Sequence, residues 1–368
     1  MEKAKKIVSE DLEYICDNLK EEFLRMSGKR LLIAGGAGFL GYYLTQSMLY
    51  WNNVVKKSNR ICITILDNFI RGKPKWLIAI EKDENLIIIK HDITKALPND
   101  IGDFQYIMHA ASIASPSYYR KYPIETMDAN VSGLRYLLEY SRKEKNKMIE
   151  GFLFYSSSEI YGDPTPENIP TPETYHGNVS CTGPRACYDE SKRYAETLCV
   201  NFVRQYDLPI KIARPFNNYG PGLKITDRRV IPDFFRDILN ERDIAIFSDG
   251  SPTRTFCYVA DAIIGYFKIL IGGRKGEAYN IGVEEPEITI RVLSERIVAI
   301  ARKLIGYSGK ILYQISNDKD YLVNNPNRRC PALTKARSEL GYNPGISLDE
   351  GLRRSLIWYA DNWDAKEA

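Results

Sequence analysis

Arg30-Leu31-Leu32-Ile33-Ala34-Gly35-Gly36-Ala37-Gly38-Phe39-Leu40-Gly41 reads as a strand, a tight turn and the start of a helix. The apolar run is a buried strand, and glycines stand three apart at 35, 38 and 41. One glycine allows the turn, one lets a pyrophosphate approach the backbone, and one lets helix and strand pack. The helix that opens there, Tyr42 to Trp51 in its apolar part, would point its free N–H groups at phosphate. The next apolar run, Ile61 to Leu66, ends in Asp67, 26 positions after Gly41. An acid there would bond the adenosine ribose hydroxyls and repel a 2′-phosphate, which favours NAD, while Arg71 and Lys73 keep NADP open.

Further apolar runs at Leu86–Ile89, Tyr106–Met108, Phe152–Tyr155 and Ile210–Arg214 alternate with helical patterns, notably Pro123–Ser141 and Cys187–Gln205. That alternation predicts an α/β fold, a Rossmann-type doubly wound parallel sheet covered on both faces. Residues 29–215 form the NAD-binding domain in this reading. Residues 216–368, where the rhythm loosens, form a smaller substrate-binding lobe with some segments returning to the first domain. Residues 1–28 are an added helix with Val8, Leu12, Ile15, Leu19, Phe23 and Met26 on one face and Glu10 and Asp11 at its start. That face packs on its own domain or on another subunit. The charge run Arg142–Lys147 reads as a solvated loop.

Composition narrows the classes. At 368 residues, one large domain plus a smaller lobe is expected. A net charge of +4 does not call for nucleic acid or an anionic membrane, but leaves room for an anionic small molecule. Seven scattered cysteines without Cys-x-x-Cys spacing, and three histidines, speak against zinc and disulfides and suit a reducing cytoplasm. No apolar run approaches a membrane span, and Met1 to Met26 has no secretion-signal core.

The chemistry is expected between Tyr155 and Lys192. Tyr188 and Lys192 are four apart, so a helix puts phenol and ammonium on one face. A cation beside a phenol favours phenolate, which can accept a proton from an alcohol. Ser157 follows the fifth strand and can donate to the same oxygen. His91 and His109 end strands and read as packing residues; His176 carries no assigned role.

The glycine spacing together with Tyr188-x-x-x-Lys192 resembles the short-chain dehydrogenase/reductase superfamily, and its length and turn wording resemble the extended branch acting on nucleotide sugars. Within it, Ser158-Glu159-Ile160-Tyr161-Gly162-Asp163-Pro164 and Gly183-Pro184-Arg185-Ala186-Cys187-Tyr188-Asp189-Glu190-Ser191-Lys192-Arg193 resemble the UDP-glucuronate decarboxylases. Ala114-Ser115-Pro116, Asn217-Asn218-Tyr219-Gly220-Pro221, Thr253–Asp261 and Asn325–Pro331 fit the same family, so that the resemblance spans roughly residues 30–360.

The resemblance implies an enzyme that oxidises C4′, loses CO2 from the resulting β-keto acid, and returns the hydride, with NAD as a bound catalyst. It implies Ser157, Glu159, Tyr188 and Lys192 as catalytic. It implies Gly35, Gly38, Phe39, Leu40, Gly41, Asp67, Asn68, Asp92, Ile93, Ala110, Ala111, Ser112 and Asn130, with Tyr188 and Lys192, around the cofactor. Ser115, Tyr119, Ser158, Glu159, Arg185, Asn217, Arg254 and Arg329 are implied around a UDP-sugar. It further implies a homodimer through the helices carrying residues 125–141 and 187–205. The related 4,6-dehydratases carry Asp where Ser158 stands, so the acid for water loss is missing. A 4-epimerase stays open as an alternative, and so does an NAD-binding regulatory protein without turnover. The family has Ser-His where Tyr42-Tyr43 stand and Arg-Met where Gly222-Leu223 stand. The second departure is expected near the sugar nucleotide. Glu159 beside a substrate carboxylate would suffer repulsion, relieved by CO2 loss or by its own protonation.

Overall fold

A computed structural model describes residues 2–55, 58–143 and 148–363. The central sheet has seven parallel strands, six of which are β1 (Arg30–Ala34), β2 (Cys62–Asp67), β3 (Leu86–Lys90), β4 (Tyr106–His109), β5 (Gly151–Tyr155) and β6 (Ile210–Pro215). The seventh, Ala278–Ile281, pairs with β6, and the spatial order is this strand, then β6-β5-β4-β1-β2-β3. The order reverses between β1 and β4, where Ala34 lies beside His109. Ligands of open parallel sheets bind beyond the strands' carboxyl ends at such a reversal.

Period-two alternation divides the apolar residues between two faces. Leu31 and Ile33 belong to one core, Leu32 and Ala34 to the other. Helices α1 (Glu2–Asn18), α2 (Lys20–Met26), α3 (Phe39–Tyr50) and Val259–Gly272 contribute to the first core. The short helix α4 (Lys75–Ile80) follows β2, and α5 (Pro116–Lys121) leads into α6 (Pro123–Ser141). Helix α6 and the later α7 (Ala186–Tyr206) cover the second face.

The N-terminal segment is two helices, not one, broken at Leu19. Asp11 is not at a helix start but mid-helix and fully buried. Its carboxylate accepts bonds from Tyr43 Oη at 2.5 Å, Tyr258 Oη at 2.6 Å and Arg354 Nη1 at 2.5 Å. Those partners repay the cost of enclosing a charge, though burial still leaves its pKa raised. The apolar side (Val8, Leu12, Ile15, Leu19, Phe23, Met26) is buried within the same chain. No helix among the described residues is long and apolar enough to cross a membrane. Residues 144–147 of the charge run lie outside the described residues.

Candidate functional site

At the carboxyl end of β1 the chain turns through Gly35 at φ +81°, a left-handed conformation that favours glycine. A Cβ on Gly35 would fall 2.5 Å from the Ala111 backbone, and one on Gly41 2.0 Å from the Gly36 carbonyl. Gly38 meets only the Gly35 carbonyl at 3.2 Å, which leaves its outer side open. Helix α3 begins at Phe39 without a side-chain cap, so its first N–H groups remain for an anion. Asp67 accepts from Ala37 N at 3.0 Å and Phe69 N at 2.8 Å. Burial raises its pKa and those two N–H groups oppose the rise. The Ser112 hydroxyl is buried with no protein partner. Cradle, acid and orphaned hydroxyl fit a dinucleotide. Arg71 and Lys73 are committed elsewhere, to Asp227 and Glu81.

The residues expected to carry the chemistry lie beyond β5. Ser157 is extended, and its Oγ accepts the Glu159 N–H at 3.2 Å, starting a helical turn over Ser158–Tyr161. Tyr188 and Lys192 sit one turn apart on α7, the ammonium 5.7 Å from the phenol ring centre. Tyr119 stacks on Tyr188 with centroids 5.0 Å apart. In this arrangement the phenol is not lowered but raised to about 12. Burial is the main cause, opposed by a hydrogen bond from Ser157, reinforced by the charges of Glu159 and Asp189, and opposed again by Arg229. Lys192 donates to the Tyr155 carbonyl at 2.7 Å, and burial lowers its own pKa to about 7. Lys192 alone therefore does not ionise Tyr188. His109, beneath it, is held neutral by burial, its pKa near 3.

Beside Tyr188 lies a charged cluster. Glu159 Oε2 is 2.5 Å from Arg185 Nη2 and 2.6 Å from Arg329 Nη2. Burial pushes the Glu159 pKa up, but the two guanidiniums outweigh it and hold the carboxyl near 2. Arg329 also donates to Asn217 Oδ1 at 3.3 Å. Arg254 spends its guanidinium on three carbonyls, those of Thr253, Pro326 and Asn327. Asp189, unread in the sequence, is 3.7 Å from Arg185 Nε and has one buried oxygen without a partner. Burial and then the Glu159 charge raise its pKa to about 8.

A cleft of about 1900 Å³ runs through this region. It brings together Gly35, Gly38, Phe39, Leu40, Asp67, Asn68, Asp92, Ile93, Ala110, Ala111 and Ser112 with Ser115, Ser157, Ser158, Glu159, Arg185, Tyr188, Lys192, Asn217, Arg254 and Arg329. Three expected contacts do not line it. Gly41 packs against Gly36, Tyr119 lies behind Tyr188, and Asn130 is buried against α7, donating to Ser191 Oγ at 2.9 Å. The departures at 42 and 222 meet each other. Gly222 has φ +88°, and its Cβ would fall 2.8 Å from the Tyr42 side chain. A larger residue at 222 would collide with Tyr42, so glycine there makes room for the Tyr42 ring on α3.

Residues 31–282 match the model of the NAD dependent epimerase/dehydratase family. UDP-glucuronic acid decarboxylase 1 of Xenopus tropicalis is 33% identical over 331 residues, covering 90% of this chain and 72% of that one. UDP-glucuronic acid decarboxylase 5 of Arabidopsis thaliana is 35% identical over 326 residues, covering 89% and 88%. Among solved structures, dTDP-glucose 4,6-dehydratase of Streptomyces venezuelae with NAD bound superposes at TM-score 0.78 with 25% identity, covering 92% and 100%. UDP-glucuronic acid 4-epimerase of Bacillus cereus, in complex with UDP-glucuronic acid and NAD, gives 0.72 and 25%, covering 91% and 100%.

Proposed function

The chain belongs to the NAD-dependent epimerase/dehydratase family, and from that premise we propose that it is a UDP-glucuronate decarboxylase forming UDP-xylose or a related nucleotide pentose. The observation that carries this reading is the cluster at Glu159. Three arginines converge near one ionised carboxylate at the end of the cleft that holds Tyr188. The excess positive charge suits a substrate carboxylate, and guanidinium is the group for binding one. Ser158 in place of an acid disfavours dehydration. The decarboxylase relatives support the same choice.

The residues then have distinct tasks. Bound NAD supplies a hydride acceptor, and later donor, at C4′ together with a positive charge near the reacting oxygen. Tyr188 takes the O4′ proton and Ser157 donates to that oxygen as charge develops on it. Lys192 orients the site from the Tyr155 carbonyl and holds the nicotinamide ribose. Arg185 and Arg329 hold the uronate carboxylate while Glu159 keeps them aligned. After CO2 leaves, the electron pair spreads into the C4′ carbonyl, whose oxygen Ser157 and Tyr188 stabilise. C5′ then takes a proton from solvent water, and Tyr188 finally gives its proton back to O4′ as the hydride returns to C4′.

The test is incubation with NAD and UDP-glucuronate, followed by mass analysis of the nucleotide products. Loss of CO2 is expected. Isomerisation at unchanged mass would instead support a 4-epimerase, the second reading, which the Bacillus cereus neighbour favours. No turnover over a panel of nucleotide uronates would reject both and favour a regulatory protein.

We read the exposed apolar residues of α6 and α7, including Ile124 and Tyr194 at 64% and 55% exposure, as the contact of a homodimer. Light scattering should give twice the 42.2 kDa chain mass, and Tyr194→Glu should shift it toward one chain. A wild-type monomer would reject the contact. The seven free cysteines support a cytoplasmic site of action.

A further inference from the structure

One ion pair crosses the cleft and has no part in the steps above. Arg71 stands four residues after Asp67, on the loop that leaves β2. Asp227 comes from a distant segment that lines the same cleft and is 3% exposed. Arg71 Nη1 lies 3.2 Å from Asp227 Oδ2, and the Arg71 guanidinium lies over the Tyr118 ring at 5.0 Å. Lys224 Nζ donates to the Arg71 carbonyl at 2.6 Å. Ser115 Oγ donates to the Asp227 carbonyl at 2.5 Å, and Arg229 pairs with the other Asp227 oxygen. The loop that follows Asp67 is thereby fastened to two distant segments that also line the cleft, around Tyr118 and around Lys224 and Asp227. All these groups border the same cavity as Asp67 and Tyr188.

The reaction makes such a fastening consequential. In the first half, the C4′ alcohol is oxidised, its hydride reducing NAD and its proton passing to Tyr188. The C5′–carboxylate bond then breaks, CO2 leaves while the electron pair passes into the C4′ carbonyl, and C5′ takes a proton from solvent water. At that point ketone and NADH are both present. If NADH escapes, the products are a 4-keto pentose nucleotide, CO2 and NADH. If it stays, hydride and the Tyr188 proton return to the ketone and the pentose is formed. We infer that the Arg71–Asp227 tie retains the reduced cofactor through this interval, so that the chain completes its cycle on the pentose. The product half of this inference rests on the decarboxylase reading; the retention half does not.

The experiment uses the full chain loaded with NADH, displaced by excess NAD and followed by NADH fluorescence. Arg71→Ala should speed release about tenfold, the equivalent of one partly exposed ion pair. Arg71→Lys, which keeps the charge, should restore most of the retention. Release from Arg71→Ala at the wild-type rate would overturn the inference, and this arm needs no sugar nucleotide, so it decides even if UDP-glucuronate is not a substrate. With UDP-glucuronate, wild type should give pentose without free NADH, and Arg71→Ala should release NADH and 4-keto pentose together. Fast NADH release with pentose as sole product would overturn the link between the tie and the product.

Discussion

Tyr188→Phe is expected to lower CO2 release about 10³-fold while leaving NAD content unchanged. The phenyl ring keeps the stack on Tyr119 at 5.0 Å and the neighbourhood of Lys192, so packing survives. What is lost is the oxygen proposed to take the O4′ proton. With that phenol raised to about 12, only a small fraction is ionised at neutral pH. The wild-type rate should therefore climb with pH as more of Tyr188 ionises, and the residual rate of the Phe variant should lack that limb. Single-turnover absorbance of NADH separates this outcome from a binding defect. An undiminished rate would remove Tyr188 from the chemistry.

Much of the frame was legible because it rests on local pattern. The apolar runs of β1 to β6 are short and bounded, and the glycine turn with Asp67 has one economical reading. The seventh strand was not legible. Ala278–Ile281 contains Asn280, which reads as a breaker until one sees it fully buried, donating to the Thr171 and Ala332 carbonyls. The same limit hid Asp11, Asp189 and Asp227. An aspartate in a sequence is by default a surface residue, and only distant partners make burial tolerable. Arg71 and Asp227 are 156 positions apart, and no spacing rule joins them. Tyr42 and Gly222 show the reverse case, two oddities in sequence that become one fact in space.

Glu159→Gln should be the other large effect, on stability as well as activity. It leaves Arg185 and Arg329 enclosed without their shared carboxylate, a change that costs about 3–5 kcal/mol when nothing compensates. Asp189 can compensate. Its ionisation is opposed by burial and then by the Glu159 charge, so removing that charge lets it ionise at lower pH, 3.7 Å from Arg185. The pH dependence follows from the sign of its shift. In wild type the Asp189 pKa is raised from 3.8 to about 8, so its contribution is full below 3.8 and lost as pH rises through 8. In the variant that loss is complete at lower pH. The stability deficit of Glu159→Gln should hence shrink between pH 6 and pH 9, as read by urea unfolding at each pH. Acid behaviour should differ in the opposite sense. Wild-type Glu159, depressed from 4.5 to about 2, contributes above 4.5 and fails only as pH falls through 2, a transition the variant lacks. Decarboxylation should fall about 10²-fold because misplaced arginines no longer hold the carboxylate in line. A deficit constant from pH 6 to 9 would mean that Asp189 does not answer to Glu159, and the cluster would then be two separate ion pairs.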